Sequence, residues 1–326
     1  MEKRRLGTSD LEVTPVVFGA WAIGGLMWGG SDETAAVEAV RAALDAGVNA
    51  IDTAPAYGLG RSEELVGRAL AGRREGVVIM TKCGLRWDRS DGELRFDEPT
   101  ADGGRTRIYH NLDPKSLREE CEASLRRLRT DVIDLYQIHW ADPRRSLEDA
   151  FGELVKLREE GKVRELGVSN FSVEQLEIAR RCAGIVSDQP QYNLIDRGIE
   201  KDVLPWCRSH GVAVIAYSPM ARGLLTGAIR ADHEFPETDH RGRRAWFEPE
   251  RRRRALGALE RVRPVAERHG ISLGNLAVAW VLGAPGVAAA LVGARDAAQA
   301  RENARAAGIR LDDDERRDVA AAFAGA

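Results

Sequence analysis

Four residues carry proton chemistry at places where a buried strand would end: Asp52, Tyr57, Lys82 and His139. Asp52 closes the apolar start of NAIDTAPAYGLGRSEE (49–64), and Tyr57 follows five residues later among Pro55, Gly58 and Gly60. Lys82 lies near the end of VVIMTKC (77–83), and His139 near the end of VIDLYQIHW (132–140). A carboxylate or ammonium at such a place is costly to desolvate unless it is partnered. Asp52 and Lys82 have each other. Phenol ionises near pH 10 (about), and a neighbouring ammonium favours phenolate. The set therefore reads as follows: Asp52 holds Lys82 charged and in place, Lys82 lowers the Tyr57 pKa, and His139 donates a hydrogen bond to a substrate oxygen. Such a group protonates a carbonyl oxygen while something else attacks the carbon. Singly, Asp52 reads as a cap or a structural ion pair, and His139 as a bonded core residue. Convergence of all four on one rim favours function.

That convergence needs elements to produce it. Short Val- and Ile-rich runs alternate with amphipathic stretches. The expected strands are 16–20, 49–54, 77–83, 132–140, 163–170, 186–193, 212–219 and 288–294. Between them lie helical patterns such as DETAAVEAVRAALDAG, with Gly47 at its end, and PKSLREECEASLRRL, opened by Asp113 and Pro114. Continuous apolar strands alternating with helices imply a parallel sheet under helices. Eight such units imply a closed (β/α)8 TIM barrel, read as one domain over 1–326. A segment at 4–15 is expected to form a hairpin plugging the barrel bottom. Two long, Gly- and charge-rich connections, 84–112 and 221–249, follow strands and so belong to the C-terminal face, where barrel active sites are built. The first strand leads into GAWAIGGLMWGG, which is not the G-x-G-x-x-G of an open dinucleotide-binding sheet.

Composition narrows the partners. Lys plus Arg number 48 against 51 Asp plus Glu, a net charge of −3, which gives no electrostatic reason to expect nucleic acid or an anionic membrane. The basic runs 241–244 and 251–254 are local, and the second reads as a solvated helix face. Four cysteines without CxxC spacing read as reduced thiols of a cytoplasmic protein, and no run is apolar enough for a signal peptide or a membrane span. No metal is expected, since the first strand ends in FGAWA without histidines.

The stretches DTAPAYGLGRSEELVGRAL, MTKCGL, DVIDLYQIHW, GVSNFS, QPQYN, AYSPMARGLLTG and LVGAR…QARENA together resemble the aldo-keto reductase family over nearly the whole chain. The likeness is greatest to bacterial members with a long strand-three loop, whose relatives include potassium-channel β subunits. The resemblance implies hydride transfer from a nicotinamide cofactor, NADPH, with Tyr57 as general acid and Asp52, Lys82 and His139 completing a catalytic tetrad. It places Ser169, Asn170 and Gln189 at the carboxamide and Tyr217 under the nicotinamide ring. Ser218, Pro219, Met220 and Gly223 fall on the pyrophosphate loop, and Arg241 over the adenine. Gly293, Arg295, Gln299 and Asn303 fall at the adenosine and 2′-phosphate end, where Arg295 precedes a helix N-terminus. Ala228 departs from the family, which often has a basic residue there; Arg230 is the nearest substitute.

For the substrate, Trp21, at a family pocket position also counted with the cofactor, and Trp140 are expected walls, with Trp28 and Trp87 as further ones. They suit a mostly apolar or aromatic carbonyl compound. The chain ends soon after a helix near 312–323, so an open, permissive pocket is expected. The resulting reading is an NADPH-dependent reductase of aldehydes and some ketones. A redox-sensing NADPH-binding protein with slow turnover and a Schiff-base aldolase using Lys82 stand as alternatives. The sequence leaves the oligomeric state open.

Overall fold

All eight expected strands form, and they close on one another. The computed structural model describes residues 1–325. Strands β1 (Val16–Gly19), β2 (Ala50–Asp52), β3 (Val78–Cys83), β4 (Ile133–Ile138), β5 (Val163–Ser169), β6 (Ser187–Gln189), β7 (Ala213–Tyr217) and β8 (Val287–Gly293) pair in chain order, and β8 returns to β1. Every one of these pairings is parallel. Helices such as Glu33–Asp45, Pro114–Leu128 and Val173–Ala183 lie between the strands in sequence. Their N-termini are capped by Asp32, Asp113 and Ser172, whose side chains accept from free amides of the first turn.

Side chains alternate across a strand, so every second residue points into the barrel. The inward set starts apolar. Val17, Ala50, Val78, Met80, Leu135, Ala213, Ile215, Ala289 and Leu291 form one inner cluster. Leu6, Leu11 and Val13 of the N-terminal hairpin (Arg4–Arg5 paired with Glu12–Val13) join it. Arg4 also donates to the carbonyl oxygens of Val287 and Ala288 at the start of β8, so the hairpin closes the end where the strands begin. One inward step further along, the pattern turns polar: Asp52 follows Ala50, Lys82 follows Met80, Gln137 follows Leu135, and Gln189 follows Ser187. A dry floor thus carries a polar layer at the C-terminal ends.

The strands are shorter than expected by up to several residues. β4 stops at Ile138, which leaves His139 and Trp140 on the following turn. The 84–112 connection is ordered: Leu85–Arg86, Arg105–His110 and Leu94–Pro99 form a three-stranded antiparallel sheet. The 221–249 connection carries three short 3-10 turns. It crosses to the loop after β1, where Trp28 pairs with Asp239 and the His240 amide donates to the Met27 carbonyl at 3.0 Å. That crossing straps part of the face expected to be open; its apolar residues Phe235, Trp246 and Phe247 pack on the core beneath it. The 251–254 run is on helix Pro249–Arg268 with three residues exposed, but Arg252 is buried and donates to the His233 carbonyl at 2.7 Å. No helix among the described residues is long and apolar enough to cross a membrane.

The loop bearing Tyr57 is pinned by two glycines in contact. Gly58 has φ +64°, and a Cβ built there would lie 2.1 Å from the Gly24 carbonyl oxygen. A Cβ on Gly24 would lie 2.8 Å from the Tyr57 carbonyl group. Neither position has room for a side chain. Gly58→Ala is expected to destabilise the fold by about 1–3 kcal/mol through overpacking, read by urea denaturation. Unchanged stability would show that the loop moves aside at no cost.

Candidate active site

The polar layer is organised around one buried ion pair. Lys82 Nζ donates to Asp52 Oδ1 at 2.5 Å, to the Thr53 carbonyl at 3.0 Å and to Tyr57 Oη at 3.3 Å. An ammonium has three protons, and all three have acceptors. The Lys82 and Asp52 side chains are 0% and 2% exposed. The other Asp52 oxygen accepts from Gln189 Nε2 at 2.8 Å and from Gln137 Nε2 at 3.2 Å. Register explains the convergence: Asp52 pairs beside Gly19 and Met80, while Lys82 pairs beside Gln137. Three adjacent strands therefore offer their last inward side chains to one spot.

Tyr57 stands above this pair, half-buried. Its ring stacks on Trp21 at 6.0 Å between centroids and meets His139 edge-on at 5.7 Å. Because its oxygen already accepts from Lys82, its own proton is free to point elsewhere. The expected fall in its pKa is not what the structure shows. Burial pushes the phenol well above its ordinary value, the Asp52 charge pushes the same way, and the Arg222 charge opposes them. Burial also pulls the Lys82 ammonium down, against Asp52. The physical reason is first that burial disfavours the phenolate, and second that Asp52, which holds the ammonium, acts on the phenol with the opposite sign. His139 is pushed well below its ordinary value by burial, with the Lys82 and Arg95 charges adding, so it is a neutral imidazole near pH 7. A neutral imidazole still has one N–H to donate. The arrangement can hold a carbonyl oxygen against a phenol proton and an imidazole N–H.

The residues carried over by resemblance lie on the same rim. Ser169 Oγ donates to the Gln189 carbonyl at 2.7 Å, and Asn170, with φ +62°, donates to Ser169 Oγ and to the His139 carbonyl. Tyr217 Oη donates to Asn170 Oδ1 at 2.8 Å. Gln189 uses its amide protons on Asp52 and Gln137, which leaves its oxygen for a ligand. Beyond Tyr217, the backbone turns left-handed at Ser218, Ala221, Arg222 and Gly223, around Pro219 and Met220. A right-handed residue followed by a left-handed one, as Met220 is by Ala221, turns successive amides to one side and makes a concavity suited to anions.

At the far end Arg241 pairs with Asp239 at 2.6 Å and lies over the Trp28 and Phe235 rings. Asn303 donates to the Gly293 carbonyl, and the Arg295 amide donates to the Gln299 side chain. The Arg295 guanidinium reaches the carbonyls of Trp28 and Gly30. The helix N-terminus after Arg295 is already capped by Asp296, whose carboxylate accepts from the Gln299 amide. Any phosphate there must rely on the guanidinium rather than on the helix end, which corrects that part of the expectation. Arg230 is exposed and paired with Asp232, so it does not stand free to replace a basic residue at Ala228. Of the tryptophans, Trp21 meets Tyr57, Trp28 meets Trp21 edge-on at 5.2 Å, and Trp140 follows His139. Trp87 packs in the same small apolar cluster as Trp140 but lines a separate surface groove with Leu59, Asp88 and Tyr109.

Sequence reasoning missed Gln137, Arg222, Arg95 and His240. Gln137 was within reach, since it is the inward polar residue two before His139 in DLYQIHW. His240 packs against both Trp21, tilted at 4.7 Å, and Trp28, edge-on at 4.9 Å, brought there by the long connection. Nothing local in the sequence marks it.

Comparison with known proteins places these features. The model of the "Aldo/keto reductase family" matches residues 15–323. Aldo-keto reductase YhdN of Bacillus subtilis is 38% identical over 322 residues, 98% of this chain and 92% of that protein. The NADH-specific methylglyoxal reductase of Escherichia coli is 37% identical over 319 residues, 96% of this chain and 95% of that protein. The solved structure of glycerol dehydrogenase AKR11B4 from Gluconobacter oxydans superposes with a TM-score of 0.88 at 41% identity, covering 99% of this chain and 95% of that one.

The ion pair itself is testable. Asp52→Ala leaves a fully buried ammonium without its counter-ion and should cost about 3–5 kcal/mol. Adding Lys82→Met removes the stranded charge, so the double variant should regain much of that loss. A denaturation cycle on the four proteins measures the coupling. Additive losses would show that the pair is not a unit.

Proposed function

The chain belongs to the aldo/keto reductase family, and from that premise we propose that it reduces aldehydes and some ketones to alcohols, with NADPH as preferred cofactor and Tyr57 as general acid. The observation that carries the reading is the Tyr57 hydroxyl, which accepts from Lys82 and keeps its own proton beside His139. Tyr57 gives that proton to the carbonyl oxygen as the oxygen gains charge. His139 donates its N–H to the same oxygen and orients it. Lys82 stabilises the phenolate that remains, and Asp52 with Gln137 and Gln189 keeps Lys82 charged and in place.

The residues on the rim fit a nicotinamide cofactor. Ser169, Asn170 and the Gln189 oxygen would hold its carboxamide, and Tyr217 would lie against its ring. The left-handed turn at 221–223, with Ser218, Pro219 and Met220, would take the pyrophosphate. Arg241, Gly293, Arg295, Gln299 and Asn303 would take the adenosine end. When bound, the cofactor supplies the hydride. Lys82 is poorly placed for Schiff-base chemistry, because three acceptors occupy its nitrogen and no lone pair is left to attack a carbonyl.

Tyr57→Phe should lower turnover about 10²–10⁴-fold with little change in NADPH affinity. The sign of the pH dependence follows from the two shifts. Reduction needs the phenol protonated and the imidazole neutral; Tyr57 is raised and His139 lowered, so neither changes state between about pH 6.5 and 10. The kcat/KM for reduction should be level across that window. A limb near pH 7 that vanishes in His139→Gln would instead make the imidazolium the acid.

Cofactor choice is tested separately. Arg295→Ala should weaken NADPH about ten- to a hundred-fold and NADH much less, because only NADPH carries the 2′-phosphate. Fluorescence titration with both cofactors reads this. Equal losses would remove the basis for preferring NADPH.

A further inference from the structure

Two arginines flank the Tyr57–His139 pair and are held by aromatic faces instead of carboxylates. The Arg222 guanidinium lies 5.2 Å from the centre of the Trp21 ring, which stacks on Tyr57, and 5.6 Å from the Trp246 ring. The Arg95 guanidinium lies 4.2 Å from the centre of Trp140, the residue after His139, and 4.7 Å from Phe96. Neither makes an ion pair or a hydrogen bond with any described residue. Arg222 Nε and Nη1, and Arg95 Nε, are buried without a partner. An aromatic face orients a guanidinium without neutralising it. A buried donor left unpaired is costly, more so when charged.

The backbone is irregular at both arginines. Arg222 has φ +58°, a conformation that side chains other than glycine adopt at a cost. Arg95 is the extra residue where the pairing of Leu94–Pro99 with Arg105–His110 shifts register between Leu94 and Phe96. A bulge of this kind re-aims a side chain. The exposed Arg244 adds a third positive charge that acts on both and opposes their protonation, although Arg222, pushed down to about 10 chiefly by burial, is still charged at neutral pH. The acid inside the site, Asp52, is engaged by Lys82, Gln137 and Gln189.

The geometry points to an anion subsite made by Arg222 and Arg95 at the mouth of the pocket, which takes the far end of a carbonyl substrate bearing a carboxylate or phosphate group. This rests on the reading that Tyr57 protonates the carbonyl. A substrate oxyanion would meet the unpaired guanidinium donors while the carbonyl oxygen lies between Tyr57 and His139. It replaces the expectation of a mostly apolar or aromatic substrate with one anionic at its distal end. The same oxyanion chemistry has a second source, the pyrophosphate of the cofactor, because Arg222 lies on the left-handed turn after β7.

The test uses 4-oxobutanoate and its methyl ester, two aldehydes that differ in one charge. The wild-type protein should show kcat/KM at least ten-fold higher for the acid. Arg222→Met and Arg95→Met should each cut that ratio several-fold, and Arg222→Lys should retain part of it. The wild-type ratio, measured at low and high ionic strength, tests the proposal even if a variant fails to fold. A wild-type ratio near one overturns it. So does a ratio unchanged in both variants, or an Arg222→Met variant that weakens NADPH and NADH alike by ten-fold while keeping the ratio, which would give Arg222 to the pyrophosphate. Turnover of the methyl ester by the wild type and its loss in Tyr57→Phe report the reductase reading independently, so that reading can stand while the subsite falls.

Discussion

The site depends on an ion pair that water does not reach. Lys82 and Asp52 are removed from solvent at the C-terminal end of the barrel interior, and each would be costly there alone. The cost is met by saturation. Three acceptors surround the ammonium, and amides from two further strands donate to the carboxylate oxygen that faces away from it. One ammonium proton goes to the Tyr57 oxygen, and this fixes how the phenol can act. Its oxygen is an acceptor toward the barrel and its proton is available toward the pocket.

Barrel geometry makes such saturation possible. Parallel strands in chain order bring the last inward residues of β2, β3, β4 and β6 to nearby depths. Below them the inward positions of β2, β3 and β4 are apolar, and the hairpin residues Leu6, Leu11 and Val13 close the floor. The polar layer therefore has a low-dielectric base on one side and the loops on the other, where its hydrogen bonds are stronger than in water. Ser169, Asn170 and Tyr217 extend the network around the rim and tie it to the His139 backbone. The His139 backbone and the Tyr57 hydroxyl are thus both held from behind, one by bonds to its amide and carbonyl and the other by the ammonium.

The loops add charge where the strands cannot. The sheet within 84–112 brings Arg95 over Trp140, and the turn after β7 brings Arg222 over Trp21. The 221–249 connection carries His240 against Trp21 and Trp28 and ties itself to the Met27 carbonyl. Local bulk, Arg295 reaching the Trp28 and Gly30 carbonyls, joins the far end to the same β1 loop. Tyr57 and His139 are consequently bordered by aromatic rings that carry guanidinium groups. Net charge over the chain conceals this, since most other charges at the surface are balanced locally, as Arg118 is by Glu153 and Glu160.

Strand number, the hairpin and the meeting of Asp52, Tyr57, Lys82 and His139 on one rim were legible in the sequence because each rests on short-range pattern. Alternation of apolar runs with amphipathic helices marks parallel units, and a polar residue at the end of an apolar run marks an inward rim position. The Asp52–Lys82 pairing followed from opposite charges at the ends of neighbouring strands on one face. Gln137 obeyed the same period-two rule and was legible but overlooked. Strand ends were not legible, since hydrogen bonds to neighbouring strands, set by the closed barrel, decide that β4 stops at Ile138 and β6 at Gln189. The sign of the Tyr57 shift was also hidden, because it is a balance of burial, Asp52 and Arg222 that exists only when distant segments meet. Arg95, Arg222 and His240 sit in connections with no periodicity, so only tertiary structure decided which aromatic faces they meet. By itself the sequence determined which groups the strands must present to one rim. The closed barrel and its two long connections decided how those groups are oriented, which are neutralised, and which positive charges are left without a carboxylate partner.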